Sequence, residues 1–223
     1  MGAALALGGF ISTAGPETQS PDGQRDSTAL LEQIEREWPV GVARDSQGYV
    51  VSVILSSKEA TDQNVRLLTN IVTLRSLAFS CSRVRKQPSG EAIQSLQHAP
   101  NLKALTIQCS GEIPEDVFGG VLKLTQLEAL TFTATWPPKE KGYTPLKNLP
   151  LLRSLTIYYP DYPGMHTGED ISTLADLKQL KNLEIFQTQL QETNYHPLLN
   201  NYGLTNLNVV SGSWKLQIQR NSK

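Results

Sequence analysis

Cysteine is almost missing from this chain, two residues in 223, and histidine is scarcely commoner at three. That scarcity excludes a disulfide-rich scaffold, which needs several bridges to staple a small core. It also excludes metal sites built from closely spaced pairs, since His98, His166 and His196 stand far apart and no Cys-x-x-Cys occurs. An excess of one charge is lacking too, with 20 basic against 21 acidic side chains and a formal net charge of -1. No global field draws in a polyanion, so no nucleic acid is expected as a partner. The densest basic run, Arg83-Val84-Arg85-Lys86, is short, lacks interleaved aromatics and reads as a solvated loop. Long apolar runs are missing as well: the longest, within Met1 to Gly15, is too short to cross a hydrocarbon layer ~30 Å thick, so no transmembrane span is expected. Nor is there a Gly-x-Ser-x-Gly, a phosphate-binding loop or a dinucleotide fingerprint. No cofactor is expected, and the chain does not read as an enzyme.

What the sequence has is repetition. One phrase of apolar residues returns as Val50-x-x-Val53-x-Leu55, Leu74-x-x-Leu77-x-Phe79, Leu102-x-x-Leu105-x-Ile107, Leu127-x-x-Leu130-x-Phe132, Leu152-x-x-Leu155-x-Ile157, Leu180-x-x-Leu183-x-Ile185 and Leu204-x-x-Leu207-x-Val209. Subtracting successive leading positions gives steps of 24, 28, 25, 25, 28 and 24 residues. Six residues before these leading positions stand Leu68, Leu96, Val121, Leu146, Leu174 and Leu198. Three residues before them stand Ile71, Ala99, Leu124, Leu149, Leu177 and Asn201. A spacing of three puts these on one face of a helical or 3₁₀ turn, so each repeat reads as a short strand, a loop and a turn on the return path.

Over residues 50 to 210 the chain resembles the leucine-rich repeat family, and the resemblance rests on the number of copies. It implies an α/β leucine-rich repeat solenoid, a curved arc with about seven parallel strands on its concave face and short helical or 3₁₀ turns on its convex face. A single unit cannot bury its own apolar side, whereas stacked units share one continuous core. Members of the family mostly serve as interaction scaffolds, which implies a non-catalytic module here.

The open ends of such a stack need covers. Asp26-Ser27 can start a helix through Leu30, Leu31, Ile34 and Trp38, which makes 27–48 an N-terminal helical cap. Trp214, Leu216 and Ile218 alternate with polar residues as a closing strand would, so the repeat domain with its C-terminal cap runs over 49–223. Residues 16–26 form a polar linker, and residues 1–15 are apolar like a signal peptide although no Lys or Arg follows Met1. Export to a periplasm, a cell surface or the medium is the expectation, with a cytoplasmic protein bearing a free tail as the alternative. No Asn-x-Ser/Thr sequon occurs, which favours a bacterial source.

Repeat arithmetic makes neighbours of distant residues. Cys81 and Cys109 each lie seven residues after a leading Leu and should stand side by side, either as a disulfide or as two reduced thiols. The outward strand positions fall into columns that are small and hydroxylated early, then bulkier, ending in Tyr158 and Phe186. Tyr159 and the long loops carrying Trp136, Tyr143 and Tyr162 leave from the same edge. Aromatic side chains bury large areas with little entropy lost, so these six residues form the candidate partner-binding rim. The expected function is recognition of a protein or glycan partner by a monomer through the concave face. The alternative is a structural or accessory spacer in a cell-envelope assembly.

Overall fold

The structure, a computed structural model, describes residues 32, 33, 36, 41–81, 87–135, 143–158, 171–186, 196–211 and 214–220. Among these residues nine strands form one sheet whose spatial order is the chain order. The seven apolar phrases become β2 (Val50–Leu55), β3 (Ser76–Cys81), β4 (Ala104–Glu112), β5 (Ala129–Thr135), β6 (Ser154–Tyr158), β7 (Asn182–Phe186) and β8 (Asn206–Ser211). All six pairings between them are parallel. The repeat position sets the register, so Leu77, Leu105, Leu130, Leu155, Leu183 and Leu207 lie in one line.

Two further strands flank this array, and both run antiparallel. β9 (Trp214–Gln219) pairs with β8, and its Leu216 and Ile218 pack against the core. β1 (Val42–Arg44) pairs with β2 and lies in the stretch read from sequence as a helical cap. Of that helix Glu32, Gln33 and Arg36 are helical. Leu30, Leu31, Ile34 and Trp38, like segments 1–15 and 16–26, lie outside the described residues.

Two hydrogen-bond devices recur from repeat to repeat. On the return path, Ile71 N–H donates to Leu68 O at 3.1 Å and Leu74 N–H to Ile71 O at 3.0 Å. The same pair of tight turns follows Leu96, Val121, Leu146, Leu174 and Leu198, so the three-residue apolar spacing is realised as successive 3₁₀-type turns. At the entrances of β4 to β8 a single carbonyl receives two donors. Arg75 O accepts from Lys103 N at 2.9 Å and from Ala104 N at 3.0 Å, and Lys103, Glu128, Arg153 and Lys181 repeat the pattern toward the next strand.

The apolar positions close into one core. Leu74, Leu77, Leu96, Leu102, Leu127, Leu146, Leu152, Leu174 and Leu180 are fully buried. Each such side chain contributes about 1.5–3 kcal/mol of transfer free energy. One member of the ladder is polar: Asn201 is fully buried where the other repeats have Ile, Ala or Leu. Its amide is satisfied, with Nδ2 donating to Leu177 O at 3.2 Å and Oδ1 accepting from Gly203 N at 3.0 Å. Arg220, just beyond β9, donates to Leu199 O at 2.8 Å and Asn201 O at 3.2 Å, tying the last strand to the last turn.

The convex layer changes along the array. The first repeats carry α1 (Asp62–Leu67), α2 (Gly90–Ser95) and α3 (Glu115–Val121). Thr61 and Ser89 cap the first two through their side-chain oxygens. Asp62 accepts from both the N–H and the hydroxyl of Ser89, at 2.7 and 2.8 Å, and the Asp116 carboxylate accepts from Gly90 N at 3.0 Å. The helices touch where side chains are missing: a Cβ on Gly90 would lie 2.1 Å from Asp116 O, and one on Gly120 would lie 2.3 Å from Gly90 O. Among the described residues, later repeats use 3₁₀ turns at Thr144–Asn148 and Thr173–Asp176, the second led in by helical Ile171 and Ser172, then the short α4 (His196–Leu199).

Candidate functional site

The outward side chains of β6 to β9 form three rows fixed by register. Thr156, Glu184, Asn208 and Gln217 make the middle row. On its entrance side lie Ser154, Asn182, Asn206 and Gln219, and on its exit side Tyr158, Phe186, Val210 and Lys215. Because Leu216 and Ile218 face the core, alternation turns Lys215, Gln217 and Gln219 to the outward face, and all three are exposed.

Tyr158 and Phe186 are register partners, and the rings stack with centroids 4.5 Å apart and planes 6° from parallel. That separation is close to the ~4.8 Å strand spacing, so the sheet itself sets the stack. Beside them Thr156 Oγ1 donates to Glu184 Oε2 at 3.4 Å, and Asn206 Nδ2 donates to Asn182 Oδ1 at 2.6 Å. Asn208 Oδ1 is buried without a hydrogen-bond partner. Burial, and then the negative charge of Glu184, raise the Tyr158 hydroxyl above its ordinary pKa, so it stays protonated at neutral pH.

The equivalent face of the first repeats is plainer. Ser52, Ser76, Ala104 and Ala129 fill one column and Ala78, Thr106 and Thr131 another, with Ile54 exposed at the start. Among the described residues, these columns hold no aromatic side chain.

Of the six residues expected in the rim, Tyr158 and Phe186 come together on adjacent strands. Tyr143 is corrected: it is 0% exposed and among the largest fully buried side chains, with its backbone N–H bonded to Thr173 Oγ1 at 3.0 Å. It closes the returning loop onto the core and presents no surface to a partner. Trp136, Tyr159 and Tyr162 lie outside the described residues. Cys81 and Cys109 are register partners on β3 and β4, buried and unbridged as free thiols. The hydrogen bond that its S–H gives to Cys81, and then burial, push the Cys109 thiol well above its usual range, so it is protonated and unreactive as a nucleophile. His98 and His196 are exposed on convex turns, and His166 lies outside the described residues. Among the described residues no group of three or more His, Cys, Asp or Glu is placed to hold a metal, and no helix is long and apolar enough to cross a membrane.

Sequence reading passed over Gln217 and Gln219. Only the antiparallel register of β9 sets them beside Asn208 and Asn206.

Six parallel pairings in a single register, each strand led in by tight turns on an apolar ladder, decide the architecture. The fold is a leucine-rich repeat solenoid. No protein-family model and no curated protein matches the chain. Among solved structures, the solenoid is similar to internalin C2 from Listeria monocytogenes, at 19% identity and a TM-score of 0.37 over 66% of this chain and 57% of that one. It is also similar to the leucine-rich repeat ectodomain of the Arabidopsis receptor kinase HAESA, solved with an IDA peptide hormone ligand, at 17% identity and a TM-score of 0.30. That match covers 85% of this chain and 46% of the ectodomain, so the solenoid spans about half the length of the structures it resembles.

Proposed function

We propose that this solenoid is a non-catalytic recognition module that holds a protein or glycan partner on its concave face, at the end formed by β6 to β9. The observation that carries the reading is the Tyr158–Phe186 stack standing beside a row of polar side chains on a sheet held in register. Preorganised rings lose little entropy on binding, and neighbouring polar groups give orientation. The patch has no paired acid and base and no activated nucleophile, which supports binding over chemistry. The apolar run within Met1 to Gly15 supports export as the setting in which the partner is met, although no Lys or Arg follows Met1.

Site-specific photo-crosslinking tests the reading. A photoreactive residue at position 158 or 186, expressed in the native cell, should capture the partner, whereas one at the exposed convex position Lys147 should not. Crosslinks from position 147 with none from 158 or 186 would place the partner on the other face and reject the proposal. Mass analysis of the mature N-terminus from the native cell fraction tests export: cleavage near Gly15 supports it, and an intact Met1 in the cytoplasm rejects it.

A further inference from the structure

The chain has almost no net charge, yet its charges are unevenly placed. In each repeat after the first, six residues make the turn that leads into the strand: 70–75, 98–103, 123–128, 148–153, 176–181 and 200–205. Of the 20 basic and 21 acidic side chains, these turns hold six basic, Arg75, Lys103, Lys123, Arg153, Lys178 and Lys181, and two acidic, Glu128 and Asp176. Arg220 adds a further cation beside Thr205, whose carbonyl accepts from Arg220 N at 2.7 Å. At the entrance of β2, Arg44 and Asp45 offset each other. Acids collect instead in the opening turns of α1 to α3, as Asp62, Glu91, Glu115 and Asp116. The strand-entrance edge of the solenoid is therefore positive although the whole is not.

The hydrogen bonds that align the strands also set these cations at one level. Arg75, Lys103, Arg153 and Lys181 each follow the leading Leu of a repeat and offer the carbonyl from which the next strand starts. Neighbouring strands are ~4.8 Å apart, so from β3 to β9 the edge is roughly 30 Å long. Among the described residues Lys103 pairs with Glu128 at 3.2 Å. Arg153 Nη1 and Lys178 Nζ donate to the carbonyls of Gln179 and Ala175, at 3.1 and 2.7 Å, contacts that hold the side chains without neutralising them.

The same edge gathers apolar surface. Four large apolar or aromatic side chains are exposed among the described residues, Ile54, Val72, Leu151 and Tyr202, and all but Ile54 stand in these turns. Tyr202 is 85% exposed and is carried on a rigid support. Leu204 N–H donates to Asn201 O at 3.1 Å, Gly203 N–H donates to Asn201 Oδ1 at 3.0 Å, and a Cβ on Gly203 would lie 2.5 Å from Lys178 O. The Arg220 guanidinium lies 5.6 Å from the centre of the Tyr202 ring, so ring and cation project together. An acidic polymer would use the cations and gain nothing from Val72, Leu151 and Tyr202, whereas a lipid surface takes both, with phosphates on the cations and the apolar groups at the boundary with the acyl chains.

We propose that the strand-entrance edge docks on an anionic lipid bilayer, with Arg75, Arg153, Lys178 and Lys181 on headgroup phosphates and Val72, Leu151 and Tyr202 inserted between them. The inference does not rest on the concave face being a binding face. Tyr158 stands at the far end of β6, roughly 13 Å from Ser154 by strand rise, so a solenoid seated on this edge keeps the ring stack clear of the bilayer.

The test is co-sedimentation of the full-length protein with vesicles. The probes are vesicles of phosphatidylcholine alone, vesicles of phosphatidylcholine with phosphatidylglycerol, and heparin as a soluble polyanion. Binding to the phosphatidylglycerol vesicles should exceed binding to neutral ones by about tenfold or more and should weaken as salt is raised. Arg75→Gln and Lys181→Gln should each weaken it roughly fivefold. Tyr202→Ser should weaken it by a similar factor and leave its salt dependence unchanged. Lys58→Gln, an exposed cation between β2 and α1, should change it less than about twofold. All four side chains are exposed, and circular dichroism reports that each variant is folded. Equal binding to neutral and anionic vesicles, or binding unmoved by the Arg75, Lys181 and Tyr202 substitutions, would assign the contact to another part of the chain, such as the apolar run within Met1 to Gly15, and overturn the proposal. Retention on heparin without vesicle binding would put a polyanionic chain in place of the bilayer and overturn it equally. Either failure leaves the crosslinking result at positions 158 and 186, and the recognition function, to stand or fall separately.

Discussion

The two halves of the solenoid share one register and differ in what they add to it. From β2 to β5 the convex side carries three helices, two of them capped, packed so closely that Gly90 and Gly120 have no room for a Cβ, while the concave side is small and hydroxylated. From β6 to β9 the described convex residues form 3₁₀ turns, a four-residue helix and the helical pair Ile171 and Ser172, while the concave side gains stacked rings and carboxamides. The first half concentrates its specific chemistry in packing between helices. The second half concentrates it on an exposed face. Both halves need the buried leucine ladder, so the contrast is in what is built on the ladder, not in the ladder itself.

The sharpest way to break this comparison is to add a methyl group to the helix contacts. Gly90→Ala drives a Cβ into the Asp116 carbonyl, and unfolding by denaturant should show a loss of about 3 kcal/mol, against a change below about 1 kcal/mol for Gly119→Ala, where a Cβ meets nothing within 4 Å. Equal effects at the two glycines would remove the tight contact that sets the first half apart. In the second half, Asn201→Leu should cost about 2 kcal/mol despite restoring the apolar pattern, because Gly203 N and Leu177 O lose their partners. A stabilised variant would show that the amide is dispensable. Smaller again, Arg220→Ala should cost about 1 kcal/mol and raise hydrogen exchange in β9 more than in β3, since Arg220 ties that strand to Leu199 and Asn201.

The smallest effect concerns titration. Burial and Glu184 hold the Tyr158 hydroxyl above its ordinary value of 10.0. Because its folded pKa is raised, Tyr158 contributes stability that is complete below pH 10 and is lost as pH rises through the folded value. Glu184→Gln removes one of the two causes, so Tyr158 should ionise at a lower pH than in the native protein, with stability at neutral pH unchanged. Ring resonances of Tyr158 followed against pH would show it, and an unmoved titration would separate Glu184 from the aromatic pair.

Strands β2 to β8 and the turn ladder were legible in the sequence because a period of 24 to 28 residues repeats one local physical requirement seven times. β1 was not legible: three residues outside the repeats carry too little pattern, and only pairing with β2 makes them a strand. The stacked pair Tyr158 and Phe186 could be read as column neighbours, whereas Tyr143 could not be separated from the rim, since whether a loop aromatic points in or out depends on how the loop closes. The tight glycines were invisible because the obstacle to a Cβ belongs to the next repeat. Gln217 and Gln219 stood in plain alternation, yet their place beside Asn208 and Asn206 depends on an antiparallel register that no spacing encodes.

The doubled hydrogen bonds at the strand entrances bear on how such a protein changes over time. Repeats of 24, 25 and 28 residues enter the sheet in the same register because the Arg75, Lys103, Glu128, Arg153 and Lys181 carbonyls each grip the N–H of the next strand's first residue and that of the residue before it. Loop length is thereby uncoupled from alignment. An insertion after a strand behaves as a surface graft and leaves every column where it was, whereas deleting one residue between Leu102 and Leu105 would swap the faces of a whole strand. Indels are tolerated on one side of each strand and forbidden on the other, so new specificities can be drawn from the loops without redrawing the sheet.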